Sequence, residues 1–223
     1  MAEVINRSSD GATLRIEDRS FNSIDGALVG SGQKWVATVS TSILSEGRRA
    51  FTLAHEIGHF CCHRFIRSQF DCTADMIDDF VGAGLEKEAN LFAARILLPP
   101  NKVRPYVDGG RFNFDSVRGV SSDFGVSLAA AGITSVDLSS RKCAFFLSRD
   151  GFIMWGKASD AAYRMGVFFR SSEELPAFLD ATTDVWTGVW KPRTEFGSEI
   201  EFKASRHLSD RTGVQITCLD FGM

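Results

Sequence analysis

The stretch Arg48-Arg49-Ala50-Phe51-Thr52-Leu53-Ala54-His55-Glu56-Ile57-Gly58-His59-Phe60-Cys61-Cys62-His63 decides the fold of this 223-residue chain. Apolar or small residues at Phe51, Ala54, Gly58, Cys61 and Phe65 recur at spacings of three and four, and Leu53, Ile57 and Phe60 form a second stripe. The spacing predicts a helix over residues 48–63. A helix apolar over that much of its circumference belongs at the centre of its domain. His55 and His59 lie one turn apart on one face. Two imidazoles and a carboxylate on a buried helix are costly without partners. A zinc ion held by both imidazoles, with Glu56 placed to act on a water, supplies them; this is the HExxH arrangement of zinc hydrolases. Gly58, unfavourable inside a helix, fits a close approach of another backbone.

A catalytic zinc takes three protein ligands as a rule. His63 stands about 12 Å along the axis from His55, too far for one ion to hold both, and reads as a residue supporting the ligands. The extended metzincin pattern fails, because its last histidine would fall on Phe65 and its glycine on Cys62. Glu86 and Glu88 remain. A second helix is expected over 85–98, stopped by Pro99-Pro100. With Leu85 as zero and about 100° per residue, Glu86 falls at about 100°, between Ala93 and Leu97 on the apolar side, and Glu88 at about 300° with Lys87 and Arg95. Glu86 is therefore the carboxylate on the buried face, and Glu88 reads as a solvated surface charge.

Upstream, the β-branched run over 34–43 predicts a strand of a small N-terminal sheet. Ser45-Glu46-Gly47 reads as a turn. Residues 68–84, with Asp71, Asp75, Asp78 and Asp79, read as a connecting loop with a short helical piece. Residues 101–142 read as helical, Gly125-Val126-Ser127 turning between two short helices. The period then changes to two: strands over 143–147 and 152–155 make a hairpin, strands over 199–204 and 214–219 flank a turn at 209–213, and a helix is expected over 172–180. The aromatics of this region, Trp155, Trp186, Trp190, Phe168 and Phe169, would suit a pocket but are ordinarily core.

Composition narrows the class. With 44% hydrophobic residues and a formal charge of −3, the chain is expected to be globular, without the field that steers proteins to phosphate backbones or anionic lipid. Residues 1–20 have no apolar leader and no stretch is long enough to span a bilayer, so no membrane partner and a cytoplasmic location are expected. The five cysteines, 61, 62, 72, 143 and 218, are odd in number and lack a CxxC pair, so they read as reduced thiols, several of them in cores.

The segments 48–59 and 86–99 (Glu86-Lys87-Glu88-Ala89-Asn90-Leu91-Phe92-Ala93-Ala94-Arg95-Ile96-Leu97-Leu98-Pro99) together resemble the ImmA/IrrE family of bacterial metallopeptidases, and the resemblance is strong over 34–100. It implies zinc ligands at His55, His59 and Glu86, Glu56 as general base, and Asn90 as a residue that orients its neighbours. It also implies an α+β fold with a zincin-like helical core: a peptidase core over 1–100, a helix-turn-helix-like segment over 101–142 and a β-rich region over 143–223, a candidate sensing module. Family members often begin with a helix packed on the catalytic region, and no counterpart stands before Lys34.

The resemblance further implies a zinc-dependent endopeptidase with a role in stress response, cutting a regulatory protein such as a helix-turn-helix transcriptional repressor. A non-catalytic regulator or antitoxin-like partner that keeps the fold is the alternative. DNA binding is not expected: residues 101–142 carry six basic and four acidic residues, and the would-be recognition helix over 127–138 has no Lys, Arg, Gln or Asn.

Overall fold

The computed structural model describes residues 3–5, 10–73, 84–177, 179, 183–191, 199–209 and 213–222. Of the loop expected over 68–84, residues 74–83 lie outside them and residues 69–72 form a strand instead; the middle of the turn over 209–213 and residues 178 and 180 also lie outside them. The fold is α+β, in two compact units: Met1–Pro99 with Gly125–Ser127, and Pro100–Phe124 with Leu128–Met223.

The first unit is built on a five-stranded sheet of β1 (Glu3–Ile5), β2 (Thr13–Arg19), β3 (Gly26–Ser31), β4 (Lys34–Ser40) and β5 (Gln69–Cys72), in the order β1-β2-β4-β3-β5. Among the described residues only β2 and β4 run parallel, with Leu14 opposite Trp35 and Ile16 opposite Ala37. β3 and β4 form a hairpin whose two-residue loop needs the left-handed Gly32, at φ 57°. β5, the edge of the sheet, pairs with β3 alone, placing Cys72 opposite Gly26. The strand expected over 34–43 is β4, and it ends at Ser40. What precedes it is strand, with no helix among the described residues.

Helix α1 (Glu46–Gly58) starts earlier than the sequence reading: Ser45, extended at φ −80°, caps it by accepting from the Arg48 N–H, so Glu46 and Gly47 lie in its first turn. The Arg48 guanidinium reaches Asp25 through two N–H groups, at 2.9 and 3.1 Å. Beyond Gly58 the helix widens into a π turn, His59–His63, a deformation that recurs at functional sites. The stripe read through Cys61 and Phe65 does not continue. Both are exposed, Phe65 at 77%, because the wider turn rotates them off the buried face. The fully buried side chains of this region include Thr52, His55, Glu56 and His59. A buried polar face of this kind is costly unless it serves chemistry.

Helix α2 (Leu85–Leu97) packs on α1, with Ala89, Asn90 and Ala93 buried. Gly58 meets the backbone there: an added Cβ would stand 3.2 Å from the Ala89 Cα and carbonyl oxygen. Ile96, read as facing the core, is exposed.

In the second unit, residues expected to hold two short helices hold three: α3 (Pro100–Asp108), α4 (Phe114–Phe124) and α5 (Leu128–Leu138). Gly125, at φ 64°, supplies the turn after α4. A six-stranded antiparallel sheet follows, in the order β8-β7-β6-β11-β10-β9. Its strands are β6 (Cys143–Arg149), β7 (Phe152–Ala158), β8 (Glu173–Glu174), β9 (Val185–Trp190), β10 (Ile200–Leu208) and β11 (Gln215–Asp220). Asp150 and Gly151, at φ 50° and 79°, make the tight β6–β7 turn.

The helix expected over 172–180 is absent among the described residues. Glu173–Glu174 pairs with Phe152 and Ile153, and Pro176 bars Leu175 from helical angles. A short helix, α6 (Asp160–Tyr163), stands elsewhere, capped by Ser159. Trp190 and Phe202 are core residues, and Phe169 and Trp186 pack against them. No helix among the described residues is long and apolar enough to cross a membrane.

Candidate metal centre

Helix α1 offers two imidazoles and α2 a carboxylate, and the three meet. His55 Nε2 and His59 Nε2 stand 3.0 Å apart, and Glu86 Oε2 lies 3.1 and 3.3 Å from them. A tetrahedral ion with bonds near 2.0–2.1 Å spaces its ligand atoms about 3.3 Å apart. The Glu86 side chain keeps 30% of its surface exposed while both rings are buried, so the centre opens on the Glu86 side.

Hydrogen-bond accounting tests whether a cation fits. His55 Nδ1 is 2.8 Å from Asn90 Oδ1, an acceptor, so Nδ1 carries the proton and Nε2 a lone pair. Glu88 Oε2 accepts from His63 Nε2 at 3.0 Å, which leaves His63 Nδ1 to accept from His59 Nδ1 at 2.9 Å. His59 Nε2 therefore also presents a lone pair. Two lone pairs and a carboxylate oxygen converge; the Cys72 S–H donates to that oxygen at 3.9 Å, but no donor faces either imidazole lone pair, an arrangement that calls for a positive charge. In the metal-free chain burial alone would raise the Glu86 carboxyl, but the two imidazoles beside it hold it well below the usual range.

Glu56 is wholly buried, and neither carboxylate oxygen has a hydrogen-bond partner among the described residues. Burial pushes its carboxyl up to about 8; the neighbouring Cys72 thiol opposes the rise, and Glu86 and Asp71 add to it. Gly26 makes its room, since a Cβ there would sit 2.6 Å from Glu56 Oε1. Burial lowers the His59 value.

These shifts set the pH response of metal-free protein. By pH 8 His59 is neutral whether folded or unfolded, and at pH 6.5 it is half protonated in the unfolded chain alone, a small opposing effect, whereas Glu56 keeps in the folded chain a proton that the unfolded chain, with its carboxyl near 4.5, has lost. Stability in chelator is expected to fall by about 1 kcal/mol between pH 6.5 and 8. Glu56→Gln should remove most of that fall, which denaturant titrations at the two pH values would measure.

The sequence-derived residues thus divide into two layers. His55, His59 and Glu86 converge, Glu56 stands beside them, and Asn90 and His63 hold the outer ring nitrogens. Glu88, read as a free surface charge, remains 66% exposed yet anchors His63. Cys72 went unread: among the described residues its Sγ joins ligand atoms of His55, His59 and Glu86, all within 4.8 Å of one another. No local spacing marks it. It arrives through the pairing of β5 with β3. Changing Glu86 to Ala is expected to remove most bound metal, and Glu88→Ala only to weaken it. Equal losses by elemental analysis would contradict the ligand geometry.

A sheet-backed helix with an HExxH face, completed by a carboxylate from a second helix, defines a metallopeptidase site. The chain belongs to the peptidase M78 family: the family's IrrE N-terminal-like domain matches residues 12–135. No curated protein matches the chain.

Proposed function

We propose that the protein is a zinc-dependent endopeptidase that cuts a regulatory protein, a helix-turn-helix repressor being the expected substrate. The convergence of His55 Nε2, His59 Nε2 and Glu86 Oε2 with no donor facing either imidazole lone pair, beside a buried and unpartnered Glu56, carries the reading. His55, His59 and Glu86 would hold the ion. When bound, zinc supplies Lewis acidity and lowers the pKa of a water toward about 7. Glu56 then takes a proton from the attacking water and returns it to the leaving amine. Beside a bound cation the Glu56 carboxyl would titrate lower than its metal-free value of about 8, nearer working pH, where a base is most effective. Asn90 and His63 keep both imidazoles in the tautomer that leaves Nε2 free.

The repressor as substrate rests on the family resemblance. A structural role for α5, rather than DNA reading, is supported by its packing: Ala131, Thr134, Ser135 and Val136 are buried, and a Cβ on Gly132 would strike the Phe145 ring. Metal-loaded protein incubated with the repressors co-expressed in its host is expected to yield one discrete cut that chelator abolishes. Intact repressors throughout would leave the non-catalytic regulator as the better reading.

A further inference from the structure

Cys72 closes the edge strand β5 with its side chain fully buried. A buried cysteine is ordinarily a small core residue, and this one does touch the cluster of Leu28, Phe60 and Phe70. Its sulfur, however, faces the polar centre. Sγ lies 3.9 Å from Glu86 Oε2 and within 4.8 Å of the other ligand atoms, those of His55 and His59. With a metal–sulfur bond near 2.3 Å, a tetrahedral ion sets sulfur about 3.5 Å from its nitrogen and oxygen neighbours. The sulfur is thus a few tenths of an ångström beyond that separation from Glu86. A valine or alanine would serve the core at this place without bringing a thiol against two carboxylates. Its S–H donates to Glu86 Oε2 at 3.9 Å, a long contact for so buried a group, whereas a cation among the four ligand atoms would draw the sulfur in.

We propose that Cys72 is the fourth ligand of the resting metal centre, closing the position that a hydrolytic water needs and holding the protein latent until the sulfur is displaced. The inference rests on the metal reading given above. On closure the thiol gives its proton to solvent, a metal–sulfur bond forms and a water leaves. On opening the same steps reverse, with no change of oxidation state. Zinc accepts nitrogen, oxygen and sulfur together, so two imidazoles, a carboxylate and a thiolate form an ordinary donor set.

Cobalt(II) substituted into the full chain tests this without reference to activity. Wild-type protein is expected to show a near-ultraviolet thiolate-to-cobalt charge-transfer band. Cys72→Ser and Cys72→Ala should each lose the band while binding one cobalt, and the double variant of the exposed Cys61 and Cys62 to serine should keep it. In zinc-loaded protein, Cys72→Ala is expected to cleave substrate without the lag of the wild type. Cobalt that binds wild type without a charge-transfer band overturns the proposal and leaves the peptidase reading intact. A band with no cleavage by wild type or Cys72→Ala supports the coordination and overturns the peptidase reading. Failure of cobalt to bind overturns both. Should Cys72→Ala not fold by circular dichroism, Cys72→Ser, which replaces sulfur by oxygen at nearly the same volume, decides the spectral question.

Discussion

Glu56→Gln is expected to keep one metal per chain and to lower the rate of peptide cleavage by roughly 10² to 10⁴, the usual span of a general acid–base contribution. Glu56 belongs to α1 but is not among the atoms that converge on the centre; those come from His55, His59 and Glu86. Its two oxygens are buried without partners, so a neutral amide of nearly the same shape enters the same space and loses the base alone. The nearby Gly26 accommodates either side chain. Metal content and single-turnover cleavage of one preparation separate the effects: a native rate would show that another group moves the proton, and loss of metal would place Glu56 among the ligands.

The second large effect is expected at His59. His59→Ala should lose the metal, whereas His63→Ala should bind it about 10- to 100-fold more weakly, the usual cost of removing a partner that orients a ligand. His59 touches the centre through Nε2 and His63 through Nδ1, so its ring spans the two layers. His63 reaches no other member of the converging set. Its contribution is to hold the His59 tautomer and ring plane, which Phe70 also fixes by stacking at 4.3 Å. Competition with a chromophoric chelator measures both affinities. Equal losses in the two variants would mean that His63 binds the ion itself.

Much of this site could be read from local pattern, because its parts lie on two helices whose periodicity sets their faces. His55, His59 and Glu86 needed only a helical repeat and a count of degrees. The same arithmetic failed for Glu88, since a wheel gives the face of a residue and not the reach of its side chain. Glu88 leaves the buried face yet bends to His63. Cys72 was illegible for a different reason: its place depends on the pairing of β5 with β3, a contact across more than forty residues. Strand β2 escaped likewise, because Thr13–Arg19 mixes charges into a short alternation and its parallel partner β4 is fixed only by the tertiary fold. The Asp150-Gly151 hairpin was plain, as both residues adopt left-handed angles that the pair favours. Residues 172–180 misled, with an acidic start resembling a helix terminus and Pro176 overruling it.

One helix grips the His59 ring from both ends. Glu86 meets its inner nitrogen, and Glu88, two residues on, meets the outer one through His63. Neither grip can slacken by a shift of α2 without disturbing the other, so occupancy of the centre and the docking of α2 on α1 rise and fall together. Chelation should accordingly register well away from the ligands, as faster amide hydrogen exchange along the whole of α2. For a cell, the supply of metal would then set how much of this protein has its two helices locked.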